Sequence, residues 1–194
     1  MNLNRNYEVF RLSKYIPTKI ALSVYDIDYN ELYASGKRII LFDLDNTLIS
    51  YYEDKPNEKL INFGKMLLDL GFKVYVLSNN RGKRINYFME TFPATGSGNL
   101  MKKPFKKKVK KFLFDQKITN YNEIIMIGDQ LVTDILCANN VGVDSILIKS
   151  ISRESEKLYT IINRWREPYI VRRYGKKNPE YAKKIYEIIK KEKK

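Results

Sequence analysis

The feature that most constrains the fold is a set of four short, mainly apolar runs, each followed by polar residues. They are Ile39-Ile40-Leu41-Phe42, Val74-Tyr75-Val76-Leu77, Ile124-Ile125-Met126-Ile127 and Ser145-Ile146-Leu147-Ile148. Short runs of this kind, rich in β-branched side chains, read as strands buried on both faces. Between them lie segments of helical spacing. Residues 57–70 place Leu60, Ile61, Phe63, Gly64, Leu67 and Leu68 on one face, with Asn57 as N-cap and Gly71 past the end. Further helices are expected at 83–90, 105–116 and 133–140. Residues 91–100, with Pro93, Gly96 and Gly98, match neither pattern. Strand and helix alternate, which predicts an α/β chain: a Rossmann-like parallel sheet with helices on both faces.

The 194 residues fit one catalytic core with terminal additions. The expected division is a lead-in over 1–37, packed on a core over 38–150, and a basic helical extension over 151–194. No apolar stretch is long enough to span a bilayer. Asn2, Asn4, Arg5, Asn6 and Glu8 leave no apolar centre for a signal peptide. A cytoplasmic protein is expected, with attachment to a membrane surface left open. The single cysteine, Cys137, excludes an internal disulfide and reads as a small core residue. Histidine is absent, which removes Ser-His-Asp and Cys-His catalysis and histidine-ligated zinc.

The net charge of +14 is unevenly spread. Residues 101–117 hold eight lysines against Asp115, and residues 153–194 hold fourteen Lys or Arg against six Glu. Such patches attract anionic membrane, nucleic acid or phosphorylated substrates, although like-charge runs are usually only solvated. In the extension, Leu158, Ile161, Ile162 and Trp165 have helical spacing, as do Tyr181, Ile185, Ile188 and Ile189. Both stripes are expected to pack on the core.

The chemistry concentrates where strands end. Asp43 and Asp45 follow the first run two residues apart, so an extended chain turns both carboxylates to one side. The second run ends in Ser78-Asn79-Asn80 and the third in Gly128-Asp129. In a parallel sheet these ends share one edge, where open α/β sheets bind ligands. One acid at a strand end is often just a turn former. A pair of acids facing groups from two other strands points instead to phosphoryl chemistry with magnesium, which takes hard oxygen ligands.

These residues carry a family resemblance. Asp43-Leu44-Asp45-Asn46-Thr47-Leu48 resembles motif I of the haloacid-dehalogenase superfamily, and Ser78 resembles motif II. Lys103 before Pro104 resembles motif III, and the segment Gly128-Asp129-Gln130-Leu131-Val132-Thr133-Asp134 motif IV. The Asp-Leu-Asp-Asn-Thr-Leu and Gly-Asp-Gln-Leu-x-Thr-Asp forms, with Pro17 and Tyr25-Asp26-Ile27-Asp28, are similar to YqeG-type class IIIA phosphatases. Mitochondrial phosphatidylglycerophosphate phosphatases are relatives of that group.

The resemblance implies a magnesium-dependent phosphomonoesterase working through an aspartyl-phosphate. Asp43 would be the nucleophile; Asp45 would protonate the leaving oxygen and then activate water. Ser78, Asn79 and Lys103 would hold the phosphoryl group, with Lys103 also steadying Asp43. Asp43, Asp129 and the main-chain carbonyl of Asp45 would bind Mg2+, with Asp134 close by and Thr47 fixing the turn. The Gly-rich segment 95–98 replaces an apolar strand, so Lys103 is expected to be less rigidly placed. Neither gap between motifs is long enough for a typical cap domain, and an open crevice suits a bulky substrate such as phosphatidylglycerophosphate. A partner or second copy, in a homo-oligomer, would complete such a crevice. Two other readings stay open. One is a phosphatase of nucleotides, sugar phosphates or nucleic-acid ends. The other is a non-enzymatic RNA-associated protein on the same scaffold.

Overall fold

The computed structural model describes residues 12–154, 156 and 158–190. The first residues of the lead-in, where a signal peptide was sought, and Lys191 to Lys194 lie outside them. Six strands form one parallel sheet: β1 (Lys19–Ala21), β2 (Ile39–Asp43), β3 (Lys73–Leu77), β4 (Gly96–Gly98), β5 (Ile124–Gly128) and β6 (Asp144–Ile148). Their order is β1-β6-β5-β2-β3-β4. The chain winds outward from β2 through β3 to β4, then returns to β5 on the other side of β2. The order therefore reverses between β2 and β5, where doubly wound sheets open a crevice at their strand ends. Phe42 sits opposite Ile127 in that pair, so Asp43 and the Gly128-Asp129 turn emerge side by side.

The helices are α1 (Tyr29–Ala34), α2 (Glu58–Asp69), α3 (Lys83–Met89), α4 (Lys106–Asp115), α5 (Leu136–Val141), α6 (Leu158–Gly175) and α7 (Pro179–Ile189). Local chemistry sets several of their ends. Asn57 accepts from the Leu60 N–H at 2.9 Å to begin α2, and Gly71 at φ +93° ends it. Asn178 caps α7 through the Tyr181 N–H at 3.0 Å, with Pro179 in the first turn. No domain is inserted between β2 and α2 or between β3 and β4.

Alternate residues of β2 serve opposite faces. Ile40 and Phe42 pack with Leu60, Phe63 and Leu67 of α2 and Ile85 and Phe88 of α3. Ile39 and Leu41 pack with Val109 and Leu113 of α4 and Cys137 of α5. The third cluster joins Leu131, Ile135 and Leu147 to Val171 of α6 and Ile185, Ile188 and Ile189 of α7. The lead-in adds β1 to the sheet edge beside β6.

Three local outcomes differ from the sequence reading. The unassigned segment contains β4, whose Gly-Ser-Gly has no side-chain period to read and is a strand only because β3 pairs with it. Before α5 the chain makes a π-helical turn over Leu131–Ile135, in which the Ile135 N–H bonds the Gln130 carbonyl at 3.1 Å. Such turns cluster at functional sites. The stripe on α7 packs as expected, whereas Leu158, Ile162 and Trp165 of α6 are exposed. The residues α6 buries are Thr160, Arg164, Glu167, Ile170 and Val171.

Ile185 is fully buried, so truncating it tests whether the extension belongs to the same cooperative unit. Ile185→Ala is expected to destabilise the whole chain by about 2–5 kcal/mol, in a single transition by urea denaturation. An early partial transition with the main one unmoved would show a separately folding tail.

Candidate active site

The last residue of β2, Asp43, and the turns after β2, β3 and β5 meet in one small polar pocket. It is lined by Asp43, Asp45, Tyr51, Asn79, Asn80, Lys103, Gln130, Thr133, Asp134 and Tyr159. Lys103 is its hub. The ammonium donates to Asp43 Oδ1 at 2.5 Å, to Asp134 Oδ1 at 2.7 Å and to the Leu77 carbonyl at 3.2 Å. The lysine side chain is 1% exposed. Burial alone would favour the neutral amine, but Asp134 and Asp43 outweigh it and hold the pKa above the ordinary lysine value. Lys103 is firmly placed despite the glycines before it. Its N–H bonds Asn79 Oδ1 at 2.7 Å, and Asn79 Nδ2 bonds its carbonyl at 3.0 Å. The Asn79 side chain thus clamps the Lys103 loop.

Asp43, Asp129 and Asp134 are buried, and each offers a carboxylate oxygen within 4.8 Å of the others. Burial raises the Asp43 pKa well above the usual carboxylate value; Lys103 opposes this, while Asp134, Asp129 and Asp45 reinforce it. Asp134 is raised as well, by burial first, against the pull of Lys103. Gly128 makes room for this packing, because a Cβ there would meet Asp134 at 2.5 Å.

The Asp45 carboxylate turns elsewhere. Oδ2 accepts from Asn80 Nδ2 at 2.6 Å and Ser78 Oγ at 3.3 Å, and Oδ1 accepts from Arg84 Nε at 2.9 Å. The turn beyond Asp45 is tight: Asn46 adopts φ +63°, which Asn tolerates better than most residues, and its N–H bonds the Ile49 carbonyl at 2.7 Å. Thr47 is buried in that turn, with no hydrogen bond to its hydroxyl among the described residues.

Sequence reading missed two arginines. Arg84 of α3 holds Asp45 and also bonds Asp54 at 2.6 Å and the Ser50 carbonyl at 2.5 Å. Arg164 of α6 donates Nη2 to Asp129 Oδ2, and Nη1 to the Asp129 carbonyl at 2.6 Å. Glu156 accepts from its Nε at 3.0 Å, and Glu167 Oε2 lies 3.5 Å from Nη1. Glu167 also accepts from the Leu131 N–H at 2.7 Å. Arg164 stands in the basic C-terminal stretch, half-buried Arg84 in the short Arg81–Arg84 segment, and nothing in their spacing marks them as partners of acids.

The donor set fits a divalent cation. It is made of hard carboxylate oxygens, and Asp129 Oδ1 is buried with no hydrogen-bond partner among the described residues while Arg164 takes Oδ2. Three carboxyl groups face two cationic side chains, so acids outnumber bases at the cluster. Arrangements of this kind can bind a phosphate ester through a cation and present one carboxylate, Asp43, as a nucleophile.

Arg164→Ala would leave Asp129 and Glu167 buried without their cation. The expected loss is about 3–5 kcal/mol by urea denaturation. Burial also pushes the Glu167 pKa up to about 7. A carboxyl raised on folding contributes stability that is whole below its unfolded value, about 4.5. That contribution is lost as pH climbs through about 7. Glu167→Gln keeps an acceptor for Leu131 and cannot ionise, so its stability relative to the parent should improve steadily across that window. A pH-independent difference would contradict the assignment.

No helix among the described residues is long and apolar enough to cross a membrane. The chain is 29% identical to the probable phosphatase YqeG of Bacillus subtilis (strain 168) over 159 residues, covering 77% of this chain and 86% of that protein. Among solved structures, an uncharacterized protein from Listeria monocytogenes serotype 4b superposes with a TM-score of 0.49 and 17% identity, over 62% of this chain and 84% of that one. The core domain of a putative phosphoglycolate phosphatase from Streptococcus pneumoniae TIGR4 gives 0.42 and 18%, over 66% and 95%. The family described as mitochondrial PGP phosphatase matches residues 8–151, which hold all four motifs and the pocket's acids. The chain belongs to that family and is a haloacid-dehalogenase-type phosphatase of the YqeG kind.

Proposed function

We propose that this phosphatase is a magnesium-dependent phosphomonoesterase that passes the phosphoryl group through Asp43. The observation carrying this reading is the Lys103 bridge between Asp43 and Asp134, beside the unpartnered Asp129 Oδ1. Asp43, Asp129 and the Asp45 carbonyl would hold the ion, with Asp134 alongside. When bound, magnesium would offset the repulsion between the Asp43 carboxylate and a phosphate dianion and polarise the phosphoryl oxygens.

The chain's own residues do the rest. Lys103 fixes one Asp43 oxygen, which leaves the other to attack phosphorus. The bond from phosphorus to the ester oxygen breaks as that of Asp43 to phosphorus forms, and Asp45 gives the departing oxygen its proton. Water then attacks the aspartyl-phosphate, Asp45 takes its proton, and inorganic phosphate leaves with the Asp43 carboxylate restored. Ser78 and Arg84 hold the Asp45 carboxylate, which lines the same pocket as Asp43. Lys103 stabilises the charge spread over the phosphoryl oxygens.

For the substrate we favour a phosphatidylglycerophosphate-type ester. Its support is the matching family's description and the lack of an inserted cap, which leaves the mouth open to a bulky alcohol.

Asp43→Asn should lower phosphate release from a generic ester at least about a thousandfold, with its melting temperature preserved. Chelation of divalent ions should silence the parent enzyme, and added Mg2+ should restore it. Full activity in the Asn variant would remove Asp43 as nucleophile. A screen over phosphatidylglycerophosphate, nucleotides and sugar phosphates tests the substrate; preference for a water-soluble ester would overturn the lipid reading.

A further inference from the structure

Helix α6 is inverted. It buries Arg164, Glu167 and Thr160, while Leu158 is 74% exposed, Ile162 47%, Trp165 76% and Tyr169 60%. These four follow a spacing of four, three and four residues, so they form one stripe down the outer face. Exposed Arg166 and Arg172 border that stripe. The only acid of the helix, Glu167, points into the protein, so the outer face carries positive charge alone. At the start of the same helix, Tyr159 lines the pocket that holds Asp43 and Asp45.

We propose that this face of α6 docks on an anionic lipid surface and sets the mouth of the pocket against it. Leu and Ile along the middle supply apolar burial into the headgroup boundary. Trp and Tyr suit the level where an apolar medium meets water. The arginines meet anionic headgroups. A second copy of the chain fits less well, since a like face would bring arginine towards arginine. Nucleic acid fits less well too, because aliphatic side chains fill the centre of the face where phosphate contacts would be needed. The docking rests on the two faces of α6; only its service to a lipid ester rests on the proposed function.

Trp165 is the only tryptophan, so its fluorescence reports on this face alone. The full chain is mixed with vesicles of phosphatidylcholine, alone or with an equal share of phosphatidylglycerol. Flotation and a blue shift of Trp165 emission are expected only with the anionic vesicles, and both should weaken as salt rises. Ile162→Ser with Leu158→Ser should reduce partitioning at least about tenfold. Both sites are exposed, so an unchanged melting temperature confirms an intact fold. Asp43→Asn should float like the parent, which separates docking from catalysis.

No recruitment of the parent, or recruitment without a Trp165 shift, would overturn the proposal. So would a parent that dimerises without vesicles and becomes monomeric in the double-serine variant. RNA binding that quenches Trp165 while anionic vesicles do not would also overturn it.

Discussion

Everything at the strand ends depends on keeping three carboxylates out of water. Asp43 closes β2, and Asp129 and Asp134 lie in the turn after β5. A buried ion carries a penalty of several kcal/mol unless partners with good geometry compensate it. Lys103 compensates Asp43 and Asp134, and Arg164 compensates Asp129. Burial raises the Asp43 proton affinity, Lys103 opposes it, and the neighbouring acids add to it. The oddities nearby serve this packing. Gly128 has no Cβ to strike Asp134, the π turn carries Asp134 to Lys103, and Asn79 pins the Lys103 loop.

Arg164 ties the C-terminal segment into that electrostatics from beyond the family-matched residues 8–151. Its planar guanidinium reaches a carboxylate, a main-chain carbonyl and two glutamates at once, which a lysine point charge could not. By taking one oxygen of Asp129 it leaves the other turned to the cluster. The extension is therefore built into the site as well as packed on the sheet edge.

Much of this was legible in the sequence, for an identifiable reason. Buried parallel strands are apolar runs, and the residues just past them must be polar, so Asp43, Asp45, Ser78 and Asp129 could be placed on one edge before any coordinates. The Lys103–Pro104 pair and the Gly-Asp motif placed Lys103 and Asp134. What stayed hidden depends on tertiary pairing. Strand β4 exists because β3 offers it a ladder, and glycines carry no pattern. Arg84 and Arg164 sit beside other basic residues, where an arginine paired with an acid looks like its solvated neighbours.

Helix α6 shows the limit most clearly, since a 3.6-residue period identifies a face but not what it meets. Turning the helix to bury Leu158, Ile162, Trp165 and Tyr169 would expose Ile170 and Val171. At about 1.5–3 kcal/mol for each large apolar side chain, the gain is roughly two side chains' worth. Breaking the Arg164 cluster would cost about 3–5 kcal/mol, because Asp129 and its neighbours would stay buried without their cation. The ion pairs therefore offset an apolar gain of the same order, and the apolar stripe lies on the outside beside the mouth of the pocket. A sequence reading that assigns hydrophobic faces to the core has no term for that competition, because Arg164 and Asp129 are 35 residues apart in the chain.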